Sequence, residues 1–130
     1  MIRKANINDL KAVYNLLQEG VKSGKVLNRS LKELSTVIKS FYVFEENRKI
    51  VGCCSLEVYS KKIAEVRSLV VYSKYRNKGI GSLLIKKCLD EAKSKGIYQV
   101  LSVTDKSDLF KRFGFKTEIN KKQAMFLNLG

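Results

Sequence analysis

Apolar positions along this chain change period several times, and each change marks an element. Residues 2–7 read as a short strand. Leu10, Val13, Leu16, Leu17 and Val21 then recur at helical spacing, with Asn8 or Asp9 as the expected cap. Val21 to Arg29 is a polar loop containing Gly24, and Ser30-Leu31-Lys32-Glu33 fits a capping box that opens a second helix to about Lys39. Phe41–Phe44, Ile50–Tyr59 and Ile63–Val71 are strand-like runs separated by turns at 46–49 and 60–62, which predicts an antiparallel meander. Helical spacing returns with Ile80, Leu83, Leu84, Cys88, Leu89 and Ala92, closed by Lys93, Lys95 and Gly96. Tyr98–Val103 follows as a strand parallel to 63–71, because a helix separates the two. Asp105 or Ser107 caps a short helix to Phe113, Gly114 stops it, and 115–119 with 124–127 form a terminal hairpin. The order β-α-α-β-β-β-α-β-α-β-β predicts a single α/β (α+β) domain over residues 1–130. Its mixed, mostly antiparallel sheet is flanked by helices.

Composition narrows the chemistry. No run of 18 apolar residues occurs, and the N-terminus lacks the apolar core of a signal peptide, so no membrane partner is expected. Cys53, Cys54 and Cys88 are odd in number and two are adjacent, which fits a reduced, cytoplasmic protein rather than a disulfide framework. Histidine is absent, which removes Ser-His-Asp and Cys-His nucleophile systems. Three scattered cysteines without histidine cannot close a zinc shell, so no metal is expected. A general base must then be a carboxylate, a tyrosine, a lysine or water. The net charge of +14 comes from lysines spread along the whole chain, as in a solvated basic surface. No helix-turn-helix or interleaved aromatic and basic strand appears, so nucleic acid is not an expected partner. A homodimer stays open.

The chemical signal lies in Arg76-Asn77-Lys78-Gly79-Ile80-Gly81-Ser82, between a β-branched strand and an amphipathic helix. Glycines there let backbone approach a ligand, and the N–H groups of a helix start make an anion site. Arg76 and Lys78 add charge-assisted bonds, so a pyrophosphate is the natural occupant. The spacing is neither a Walker loop nor a dinucleotide fingerprint. Together with Glu65-Val66-Arg67-Ser68-Leu69-Val70-Val71 and Phe110-x-x-x-Gly114-Phe115, the loop resembles the GNAT acetyltransferase superfamily across essentially the whole chain. The resemblance implies acetyl-CoA as co-substrate and a bulge in strand 63–71, which splays from its parallel neighbour. Pantetheine then pairs with backbone around Leu69, Val70 and Val71, the pyrophosphate sits on Arg76 to Ser82, and an N–H near Leu69 polarises the thioester carbonyl. Glu65 aligns with the glutamate that serves as base in the histone-acetyltransferase branch; it could equally pair with Arg67 on the same strand face. Phe110 stands where many members place a proton-donating tyrosine, which leaves the role of general acid vacant. Tyr72, Tyr75 and Thr104 are substitutes.

Within the superfamily, Leu27-Asn28-Arg29-Ser30-Leu31-Lys32-Glu33-Leu34, Val51-Gly52-Cys53-Cys54-Ser55-Leu56, Ala64 to Leu69 and Phe110 to Phe115 are similar to the acetyltransferase domain of N-acetylglutamate synthases. That resemblance implies an amine acceptor that is a small amino acid, glutamate first, with Arg29 and Arg67 on its carboxylate. Asn28 replaces the usual proline, and the segment 120–130 is shorter and lacks the family's Lys-Val-Trp pattern. Two alternatives stand beside this reading: a GNAT enzyme acting on a protein N-terminus, a lysine or another amine, and a non-catalytic acyl-CoA-binding module.

Overall fold

The computed structural model describes residues 1–130. Seven strands and four α-helices appear: β1 (Ile2–Lys4), α1 (Leu10–Lys22), α2 (Leu31–Val37), β2 (Phe41–Glu46), β3 (Lys49–Val58), β4 (Ile63–Val71), α3 (Ile80–Ser94), β5 (Gln99–Leu101), α4 (Ser107–Lys111), β6 (Glu118–Ile119) and β7 (Lys122–Gln123). Strands β1 to β5 form one sheet in chain order. Each neighbouring pair is antiparallel except β4 and β5, which run parallel as the intervening α3 requires.

Strand alternation sends side chains to two faces, and a helix layer covers each. On one face Cys54, Leu56, Ala64 and Val66 pack against Ile80, Leu84, Ile85 and Cys88 of α3 and Phe110 of α4. On the other, Phe41, Val43, Cys53 and Val70 pack against Val13, Leu16 and Leu17 of α1 and Leu34 of α2. Gly52 allows α3 to settle closely on β3: a Cβ there would lie 3.1 Å from Ile80 and 3.2 Å from Leu84.

Several boundaries differ from the expectation. The first strand ends at Lys4, because Asn6, not Asn8 or Asp9, caps the following helix. The Asn6 side chain accepts from Asn8, Asp9 returns a bond to the Asn6 N–H, and the first turn is 3-10. Lys106 opens α4 without a side-chain cap, since Asp105 turns away to Lys25. Ile85 rather than Leu83 lies in the core face of α3; Leu83 is exposed. The terminal hairpin is shorter, pairing 118–119 with 122–123 around Asn120-Lys121, and it forms its own two-stranded sheet. Residues 124–127, expected as its second strand, are exposed and unpaired.

Candidate active site

The register of the β3–β4 hairpin slips once, and the slip makes the site. Cys53 pairs with Val70 and Ser55 with Arg67, so Cys54 faces two residues, Ser68 and Leu69. This is a β-bulge with Ser68 in the left-handed region at φ 59°, an uncommon conformation for a residue with a Cβ. Side chains hold the bulge from β3: Ser55 Oγ donates to the Arg67 carbonyl at 3.1 Å and the Cys53 thiol donates to the Ser68 carbonyl at 3.5 Å. The parallel ladder with β5 runs only from Ile63 to Glu65. Beyond it Ser102 Oγ caps the Val66 carbonyl at 2.8 Å, and the two strands part. The gap is lined by Ser68 and Leu69 from β4, by Ser102 and Thr104 from the chain after β5, and by Phe110. Lys25 and Asp105, 3.6 Å apart, face each other at its edge. Strand splay and bulge both match what the GNAT resemblance implies.

Past the gap, β4 ends at Val71 and the chain enters the glycine loop. Asn77 and Gly79 take positive φ, 63° and 80°, which turns the chain sharply into α3. No side chain caps that helix, so its first N–H groups stay available to a ligand. Arg76 Nε donates to the Val71 carbonyl at 3.1 Å, which anchors the arginine at the base of the loop. Lys78 lies 5.4 Å from the Tyr75 ring. Lys106 joins this basic group from α4: burial, then the nearby Lys25 and Arg76, hold its ammonium below the usual lysine range. A cradle of uncapped N–H groups and clustered cations fits a phosphate-bearing co-substrate.

On the α1–α2 face, beside the gap, sits an ionic cluster. Arg29 is almost fully buried. Its fork grips Glu57 at 2.7 and 3.1 Å, its Nε donates to Glu33 at 2.6 Å, and Nη1 also donates to Ser68 Oγ at 3.2 Å. Burial would raise the Glu57 carboxyl, but the bonds from Arg29 outweigh it and hold it below its usual range. Arg67, partly exposed, lies 3.6 Å from the same carboxylate. Glu65 sits directly opposite Glu57 in the hairpin register and accepts a 2.6 Å bond from the Tyr59 hydroxyl. The expected pairing of Glu65 with Arg67 is not made. Of the two arginines read as carboxylate ligands, Arg67 is partly exposed, whereas Arg29 spends its donors inside the protein. Glu57, Tyr59 and Ser68 were not singled out from the sequence. Glu57 shares an alternation face with Ser55, yet only the strand register shows that it meets Arg29.

The comparisons agree with this geometry. Residues 38–117 match the family described as acetyltransferase (GNAT) domain. An uncharacterised N-acetyltransferase of Chlorobaculum tepidum is 36% identical over 93% of this chain and 77% of its own length. The amino-acid acetyltransferase of Shewanella oneidensis is 31% identical over 90% of this chain, which spans only 27% of that relative. Among solved structures, a Mycobacterium tuberculosis protein in complex with CoA superposes with a TM-score of 0.85 at 27% identity, covering 92% of this chain and 73% of that one. The N-acetylglutamate synthase of Neisseria gonorrhoeae, complexed with coenzyme A and N-acetyl-glutamate, gives 0.85 at 25% identity, covering 92% of this chain and 28% of that one. This protein therefore belongs to the GNAT family and is an acetyl-CoA-dependent N-acetyltransferase.

Proposed function

We propose that the acceptor is the α-amine of a small, glutamate-like amino acid and that the acetyl group passes to it directly. The carrying observation is Arg67, a partly exposed guanidinium one residue from the bulge, on the strand face that also presents Glu65. A guanidinium fork fixes the plane of a carboxylate, and thereby aims the amine attached next to it. Arg29 serves the same site from behind by fixing Glu57 and the bulge residue Ser68. The relatives named amino-acid acetyltransferases support this reading.

In the reaction the CoA pyrophosphate rests on Arg76 to Ser82 and the pantetheine lies along Leu69, Val70 and Val71. The amine must be neutral to attack. Glu65, directly or through a water, takes its proton as the nitrogen bonds to the thioester carbon. The Leu69 N–H holds the oxygen that gains charge. The C–S bond then breaks and CoA leaves as thiolate, which takes up a proton from solvent. Phe110 packs against the gap and cannot donate one. A free thiol near pKa 8.5 leaves tolerably without help.

The test is a panel of initial rates at saturating acetyl-CoA with free-thiol readout. Amino acids with a free α-carboxylate should react, and amidating that carboxylate should raise KM about tenfold or more, the loss expected for a bond to a charged group. Arg67→Lys should raise KM likewise while acetyl-CoA binding holds. A simple diamine reacting as well as the amino acids would refute the reading.

A further inference from the structure

The acceptor cluster contains more carboxylate than cation. Glu33 and Glu57 bond Arg29, Arg67 lies beside Glu57, and Glu65 stands opposite Glu57 with its bond from the Tyr59 hydroxyl. The buried Arg29 is committed to Glu57 and Glu33, with a further bond to Ser68. The Ser55 hydroxyl, whose single proton is shared between Glu57 at 2.9 Å and the Arg67 carbonyl at 3.1 Å, lies on the other side of that carboxylate. One guanidinium with an exposed side is left, and one such fork binds one carboxylate. Glu57 and Glu65 are cross-strand partners on the same face, so their Cβ atoms lie about 5 Å apart. An acceptor ammonium is welcome beside such a pair. A second acceptor carboxylate would meet two like charges, and the buried Arg29 is already bonded to Glu57 and Glu33.

We propose that Glu57 is a specificity-determining residue: it fills Arg29 with the chain's own carboxylate, and the enzyme therefore selects amino acids bearing a single carboxylate, of the glutamine type, over glutamate. The inference rests on the amino-acid reading above and narrows it. Exclusion works through charge, since the two amino acids are nearly identical in shape.

The experiment compares kcat/KM for glutamine and glutamate in the full chain at saturating acetyl-CoA, with a simple diamine alongside. The wild-type protein should favour glutamine about tenfold or more. Glu57→Gln keeps an oxygen for Arg29 but removes the charge, leaving Arg29 in need of an anion. The ratio should then shift toward glutamate about tenfold. Should that variant lose the thermal shift given by acetyl-CoA, Glu57→Thr, neutral and β-branched as suits a strand, should move the ratio the same way. Glutamate equal to or better than glutamine in the wild type overturns the assignment of Glu57, as does a ratio untouched in the folded variant. If neither amino acid reacts while the diamine does, the amino-acid reading falls and this inference with it.

Discussion

Glu57 and Glu65 stand opposite one another on adjacent strands, yet their surroundings send them to different tasks. Glu57 is locked to a guanidinium and cannot give up its charge near neutral pH. Glu65 touches only the neutral Tyr59 hydroxyl, so its carboxylate keeps a free edge toward an incoming amine. Replacing Glu65 by glutamine should lower turnover roughly 10²-fold, the usual scale of a lost general base. A wild-type rate in that variant would assign the proton to solvent or another group. The cysteines invite a second residue-scale test. Burial pushes the Cys53 thiol up to about 12 and raises Cys54 as well, its hydrogen bond to Cys88 being the first cause there. All three thiols should therefore resist a disulfide reagent in the folded state and react once the chain is unfolded in denaturant. Fast labelling of the native protein would contradict the packing described.

The loop and helix between Arg76 and Ser94 are the element proposed to carry the co-substrate. Gly79 sits at φ 80°, so a valine there strains the backbone itself. At Gly81 an added Cβ would make ordinary contact, 3.8 Å from Leu109. Gly81→Val should thus fold while obstructing the phosphate approach, and Gly79→Val should distort the loop. Each should abolish the rise in melting temperature that acetyl-CoA gives the wild-type protein. An unchanged rise would displace the pyrophosphate from this loop. This element was legible in the sequence because glycine spacing and helical period coincide there. The β2–β3–β4 meander was legible too, since β-branched and aromatic runs alternate with polar turns. Less was visible where a turn uses neither glycine nor proline. Asn120-Lys121 takes positive φ at two successive residues, and nothing in its composition announces where pairing starts. The ionic cluster was hidden for another reason. Arg29 and Glu57 are 28 positions apart, and only the bulged register of β3 on β4 with the α2 entry brings them together. The site was therefore readable as a loop and an acidic strand residue, but not as a network.

For the whole molecule, the excess of positive charge makes each well-placed carboxylate count. Burial would raise Glu91, but bonds from Lys95, Tyr42 and Lys4 outweigh it and hold it at about 2. The Asp9 carboxyl is lowered too, first by its bond from Arg3, and Glu57 by Arg29. A carboxyl depressed in the folded state stabilises fully above its unfolded value, 4.5 for Glu91, and loses that contribution as pH falls through its folded value. The melting temperature should hold from pH 7 to about 5 and then fall steeply below about 4.5. Glu91→Gln should blunt part of that acid slope, and circular dichroism melts across the range decide it. A flat profile down to pH 3 would deny these pairs a role in stability.

Ser68 has a last consequence at this scale. In the proposed reaction the residue before it offers the acceptor its guanidinium, and the residue after it offers the thioester its N–H. Both ligands therefore act on one left-handed residue, and a shift that either imposes on it is felt by the other. Thermodynamic reciprocity then fixes their relation: the factor by which acetyl-CoA changes acceptor affinity equals the factor by which the acceptor changes that of acetyl-CoA.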